Sequence, residues 1–249
     1  MTIFFIILIG LALGSFFNAL AYRVVSGESI VKGRSKCPQC KHVLGAKDLV
    51  PVLSWLWLKG HCRYCKGVIS WQYPAVEIIT AACFIWLYIV FGLSTQFFIA
   101  ALTTCFLIPI FITDARDYII PDSVSISGII IIFLTQLYFG ASWFNLILAA
   151  AIGGGFFLFQ YLISRGRWIG AGDIRLGVLM GVALGFPGII VALALAYIGG
   201  AIIALILIGF GKKQFASQVP FGTFLTVATF LTLVSGHTLI NWYWGLLGL

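Results

Sequence analysis

The 249-residue chain is 61% apolar and 9% charged, with a mean hydropathy of +1.10. An ordinary soluble domain carries about 25% charged residues, so a soluble globular enzyme is excluded and an all-α polytopic membrane protein is expected. The net charge of +8 suits basic residues flanking a membrane, and no nucleic-acid partner is expected.

Eight apolar runs read as membrane-crossing helices: 2–22, 74–92, 97–113, 122–139, 143–163, 174–187, 188–210 and 221–247, of which the sixth is short. In the first, "ALA" at 19–21 resembles a signal-peptide cleavage site. The run has no basic leader and is too long for a signal core, so a retained helix is expected.

Residues 23–73 form the only segment long enough for a domain outside the membrane. The expected organisation is therefore a first transmembrane helix at 1–22, a cytoplasmic loop domain at 23–73 and a membrane-embedded domain at 74–249. The loop carries "CPQC" (Cys37, Cys40) and "CRYC" (Cys62, Cys65), with 21 residues between the pairs. Two such pairs suit a tetrahedral four-thiolate zinc site, at an interval one residue over the usual window. So short a loop has little core of its own, and a structural zinc staple compensates for that. His42 and His61 flank the pairs and read as solvated side chains. Cys83 and Cys105 lie in spans and read as packing residues.

The acidic residues of the spans and short loops follow in order. Glu77 comes just after Pro74, where a helix dipole favours an acid. The third span ends in "FITDARDYIIPD", carrying Asp114, Asp117 and Asp122. Asp117 beside Arg116 reads as a solvated interfacial charge, and Asp122 after Pro121 as a helix N-cap. "GGG" at 153–155 reads as a close helix contact. Then comes "GAGDIRLG" (170–177), where Gly170 and Gly172 remove side chains around Asp173. "VPFG" (219–222) opens the last span, either as a plain helix start or as part of a site floor. His237 in that span reads as structural.

Nine of the fifteen Lys and Arg fall between Arg23 and Lys66; the others are Arg116, Arg165, Arg167, Arg175, Lys212 and Lys213. With eight spans all of them come out on one side, while "FGLSTQ", "FGAS" and "GFPG" on the other carry no charge. The positive-inside rule makes the basic side cytoplasmic and puts both termini outside. Asp114 at the end of the third span and Asp173 at the start of the sixth then share the cytoplasmic face. Two neighbouring carboxyls cannot both ionise easily, so one holds a proton while the other acts as base, which suits activation of water.

The ordered set "GSFFNALAYR" (14–23), "DLVPVLSWLWLKGHCRYC" (48–65), "ISWQYPAVE" (69–77), "TDARDYIIPD" (113–122), "GAGDIRLG" and "VPFGTFL" (219–225) resembles the type IV prepilin peptidases, a family of Gly-x-Gly-Asp membrane aspartic proteases. The resemblance runs over most of the chain and implies catalytic roles for Asp114 and Asp173. Arg175 stands where the family usually has lysine. A multi-pass protein of the bacterial cytoplasmic (inner) membrane is implied, in contact with lipid and with its active site at the cytoplasmic face. The implied substrates are prepilins or pseudopilins, with a basic leader and a hydrophobic N-terminal helix. Methylation of the new N-terminus by S-adenosylmethionine is implied as well, with Glu77 and the cysteine loop as supporting candidates. No strand–GxGxxG–helix unit is present to bind that donor. The rival expectation is a transporter or ion-coupled channel with interfacial aspartates, which internal repeats would favour; none is evident in the sequence.

Overall fold

The computed structural model describes residues 1–29, 33–209 and 220–246. Among these there is no strand, only two isolated bridges, Lys36 with Val43 and His61 with Val68. The chain divides into two compact units, Met1–Phe97 and Phe98–Leu249.

The first unit is built on α1 (Thr2–Ser26) and α3 (Gln72–Phe91), which pack antiparallel. Two glycines set their spacing and register. A Cβ on Gly10 would lie 2.6 Å from the Ala81 Cα, and one on Gly14 2.6 Å from the Glu77 Cα. This is the small-residue contact that lets membrane helices approach without a hydrophobic driving force. One turn on, the buried Asn18 amide donates to the Gly14 and Tyr73 carbonyls, each at 3.2 Å. Between the two helices lie the cysteine loop and a short helix, α2 (Leu53–Trp57).

The second unit holds most of α4 (Thr95–Asp117), then α5 (Asp122–Tyr138), α6 (Trp143–Ser164), α7 (Ala171–Leu184), α8 (Gly188–Gly209) and α9 (Phe221–Leu246). At its centre is α7, packed against α5, α6, α8 and α9. Eight of its fourteen residues are buried, so it is apolar nearly all round. Gly153 and Gly154 of the expected "GGG" contact face α7, meeting the Gly177 carbonyl and Val178, whereas Gly155 faces open space. Gly181 repeats the contact against Ala149, so α6 and α7 run antiparallel with 153 opposite 177 and 149 opposite 181.

Each of the eight expected apolar runs coincides with a helix over most of its described residues. By length and composition α1, α3, α4, α6 and α8 are long and apolar enough to cross a membrane, and Asp122–Tyr138 and Phe221–Gly236 are shorter apolar helices. The sixth run is displaced: α7 spans 171–184 rather than 174–187. The Gly170–Asp173 turn starts the helix ahead of the aspartate, which therefore lies within the first turn.

Candidate active site and metal centre

Asp114 occupies the last full turn of α4 and is 5% exposed. Its Oδ2 accepts the Thr223 N–H at 2.6 Å, so the first turn of α9 closes onto the carboxylate. Gly222 makes this approach possible, since a Cβ there would lie 2.8 Å from the Asp114 Cγ. Asp173 is the third residue of α7 and 8% exposed, and its Oδ2 accepts the Gly170 N–H at 2.9 Å. This bond caps the helix from within. Gly170 serves chiefly through that N–H, whereas Gly172 allows a close approach, a Cβ there lying 2.8 Å from the Ile120 Cβ.

Asp114 lies close enough to Asp173 to feel its charge. Each faces a helix N-terminus, α9 for one and α7 for the other, where unpaired N–H groups and the dipole favour negative charge. Among the described residues no other residue bonds to Oδ1 of either, so each carboxyl keeps an oxygen for a ligand. Near Asp173, the Tyr197 hydroxyl donates to the Gln160 Oε1 at 3.0 Å, and its ring packs edge-on against Phe156 and Phe221. Tyr197 had no motif to announce it, and "VPFGTFL" (219–225) contains Gly222 and Thr223 without singling either out.

Asp122 differs from the expected N-cap. Pro121 holds the cap position, and Asp122, in the first turn, makes no cap bond. Its carboxylate pairs with Arg175 of α7, whose Nε is buried without a partner. An arginine two residues beyond Asp173 is a stronger attraction for that carboxylate than a backbone N–H. Asp117 pairs with the adjacent Arg116 at 3.0 Å at the surface, as a solvated charge would.

Glu77 belongs to the first unit. Because α3 starts at Gln72, Glu77 falls in the second turn rather than the first, and a side-chain bond holds it instead of the dipole. It is 6% exposed, and its carboxylate accepts the Val52 N–H at 2.6 Å. Val52 is β-branched and has φ +60°, a conformation that only surrounding contacts can impose.

In the loop, the four Cys37, Cys40, Cys62 and Cys65 sulfurs lie within 4.8 Å of one another, with Cys37 and Cys65 3.9 Å apart. Thiolates about 2.3 Å from a tetrahedral zinc sit about 3.8 Å from each other, so the donor set and spacing fit that metal. The two pairs are built alike. Cys37 N–H donates to His42 O and Lys41 N–H to Cys37 O; Cys62 N–H donates to Gly67 O and Lys66 N–H to Cys62 O. Lys41 and Lys66 share a left-handed φ of 58°. Burial works against ionisation of Cys37, but the N–H groups of Cys40 and Gln39 outweigh it and bring its pKa down to about 7. His42 stacks on Tyr64, and the His61 Nδ1 lies 2.7 Å from the Lys59 carbonyl, so both are engaged elsewhere. Burial would raise the Asp48 pKa, yet bonds from Arg63, Gly45 and Tyr64 hold it below the usual value. That carboxylate ties the second cysteine turn to the first half of the loop. His237, Lys212 and Lys213 lie outside the residues whose side chains are described.

Residues 8–91 match the Bacterial Peptidase A24 N-terminal domain, and residues 101–205 the Type IV leader peptidase family. The chain is 32% identical over 235 residues to the prepilin leader peptidase/N-methyltransferase of Bacillus subtilis, covering 94% of each protein. It is 30% identical over 224 residues to the Aeromonas salmonicida protein of the same name, covering 84% of this chain and 74% of the relative. With the Legionella pneumophila protein, again so named, it shares 32% over 218 residues, 85% of this chain and 76% of the relative. No solved structure matches. The chain belongs to the type IV leader peptidase family.

Proposed function

We propose that this chain is a membrane-embedded aspartic endopeptidase that removes the short basic leader of type IV prepilins or pseudopilins, with Asp114 and Asp173 as its catalytic pair. The observation that carries this reading is the pair itself: two buried carboxyls, each anchored through one oxygen and each with the other oxygen available. One aspartate takes a proton from water, and the water oxygen attacks the scissile carbonyl. The protonated partner donates a hydrogen bond to the developing oxyanion, and a proton then passes to the leaving amine. The pair titrates as a unit, so the roles belong to the dyad. A transporter with interfacial aspartates gains no support from family membership.

The relatives' names support a second activity, methylation of the new N-terminus, for which S-adenosylmethionine would supply the methyl group. Glu77 and the cysteine loop are its supporting candidates, and no residue is assigned to that donor. Cys37, Cys40, Cys62 and Cys65 would hold a structural zinc, supplying a cross-link within the loop. The basic segments favour a bacterial inner-membrane location, with the pair at the cytoplasmic face and both termini outside.

The test is leader removal by purified protein in lipid vesicles at one pH. Asp114→Asn and Asp173→Asn should each fold, since asparagine is near-isosteric, yet each should lower kcat at least 1,000-fold, in the range lost when a catalytic group goes. The double variant should be little worse than either single one, because groups that act together lose activity non-additively. Asp122→Asn should stay within about 3-fold, its exposed ion pair contributing at most about 1 kcal/mol. Substantial cleavage by folded Asp173→Asn would remove the dyad from the mechanism.

A further inference from the structure

The segment "LVPVLSWLWL" (49–58) has ten residues, none charged, between Asp48 and Lys59. It is too short to cross a bilayer, and the catalytic proposal leaves it unused. Its position in the first unit shows how deep it reaches. In α1 no residue from Thr2 to Tyr22 is charged, and Arg23 is the first cation. Gly14 lies nine residues before Arg23, about 13 Å along the helix at 1.5 Å per residue. Glu77 is level with Gly14, and the Glu77 carboxylate holds the Val52 N–H. Val52 therefore sits roughly 10 Å below Arg23 along the α1 axis. A second observation agrees. Leu49 and Pro51 line a cleft of about 310 Å³ that runs along α1 from Ala12, Ser15 and Phe16 up to Arg23.

At that depth the segment presents Leu53, Leu56 and Trp57, exposed by 60%, 58% and 88%. Positions 53, 56 and 57 share one face of α2. The backbone is equipped for an apolar setting, since the N–H groups of Leu53, Ser54, Leu56 and Leu58 bond to carbonyls of the same segment and that of Val52 to Glu77. The Trp55 indole donates to the Ile69 carbonyl at 3.1 Å. Each backbone group left without such a partner would cost several kcal/mol in hydrocarbon.

We propose that residues 49–58 are an arm immersed in the leaflet on the cysteine-loop side of the membrane, with Leu53, Leu56 and Trp57 against lipid acyl chains. The buried Glu77 is then the tether that holds the arm's entry point down. Lipid is the occupant the structure favours, because both flanking helices enter the bilayer and the exposed face lies at their apolar level. The loop's basic residues add attraction to anionic headgroups above it. This inference does not rest on the protease reading.

The experiment places the photoreactive residue benzoylphenylalanine at position 57, at 53 and, for comparison, at 64. Tyr64 is 46% exposed in the second cysteine turn. The full chain is reconstituted in phosphatidylethanolamine–phosphatidylglycerol vesicles and irradiated, and adducts are identified by mass. Lipid adducts at 57 and 53 should exceed those at 64 at least 5-fold. Equal yields at the three positions would overturn the proposal. So would adducts at 57 that shift to an added prepilin segment with no lipid adduct in its absence. A second reading uses lipids brominated on the acyl chain. Trp57→Phe should lower the fraction of tryptophan fluorescence they quench, and an unchanged fraction would also count against the arm.

Discussion

Gly222 has no side chain because the Asp114 carboxyl occupies the space where one would stand. A methyl group at that position would meet the Asp114 Cγ, Oδ2 and Oδ1 at 2.8, 2.9 and 3.1 Å, and something must move. The carboxyl is the softer side of the contact, so Gly222→Ala is expected to swing it away from the Thr223 N–H. Misplacing a reacting group by about 1 Å costs on the order of 100-fold in rate. Gly222→Ala should therefore reduce leader cleavage about that much while the protein still folds. Gly200→Ala, whose Cβ would make only ordinary contacts with Phe224 and Phe221, should leave cleavage unchanged. Assays of both variants with a purified prepilin provide the check, and full activity in Gly222→Ala would mean that Asp114 does not need its present position. The nearness of Asp114 and Asp173 was legible in the sequence because charge and span count put both at one membrane face. The support from Gly222 and Thr223 was not legible, because "VPFG" reads equally well as an ordinary helix start and its contact is 109 residues away. Asp122 was misread for a related reason, since a Pro-Asp pair looks like a cap until the arginine of another helix is seen beside it.

At the scale of elements, the two cysteine turns are short repeats of one hydrogen-bond pattern, and neither buries enough to hold itself closed. Cys37 and Cys62 are buried and Cys40 and Cys65 exposed, so each turn contributes one inner and one outer sulfur. Four thiolates within 4.8 Å repel one another unless a cation sits among them. Replacing Cys37 and Cys62 with serine should remove about one zinc per chain, and residues 33–70 should become sensitive to protease. Elemental analysis and limited proteolysis decide this, and wild-type protein without metal would end the zinc assignment. Leader cleavage after chelation separates a loop that only assists from one that reacts. The cysteine spacing made this cluster easy to read. The Val52–Glu77 bond was hidden, because a β-branched residue at positive φ is imposed by tertiary contacts and leaves no mark in composition or periodicity.

For the molecule as a whole, orientation rests on where the basic residues fall. A cysteine at Ser94, in the uncharged "FGLSTQ" loop, should react with an impermeant reagent added to intact cells, and one at Arg165 should react only after the membrane is opened. The opposite labelling would place the aspartate pair on the outer side. The eight helical runs were legible because apolar length is a strong signal. What length alone did not convey is that the short sixth run would be the one every other helix of its unit except α4 packs around. That shortness has a consequence for hydrolysis. At fourteen residues α7 is about 21 Å long, against a hydrocarbon thickness of about 30 Å. Its two ends cannot both reach the headgroups of an undeformed bilayer, and one of its ends bears Asp173. Where a helix stops short, the lipid must thin or solvent must dip to meet it. If Asp173 belongs to the proposed catalytic pair, an end of α7 that stops short there would let water reach it from the aqueous phase, between the helices that enclose α7.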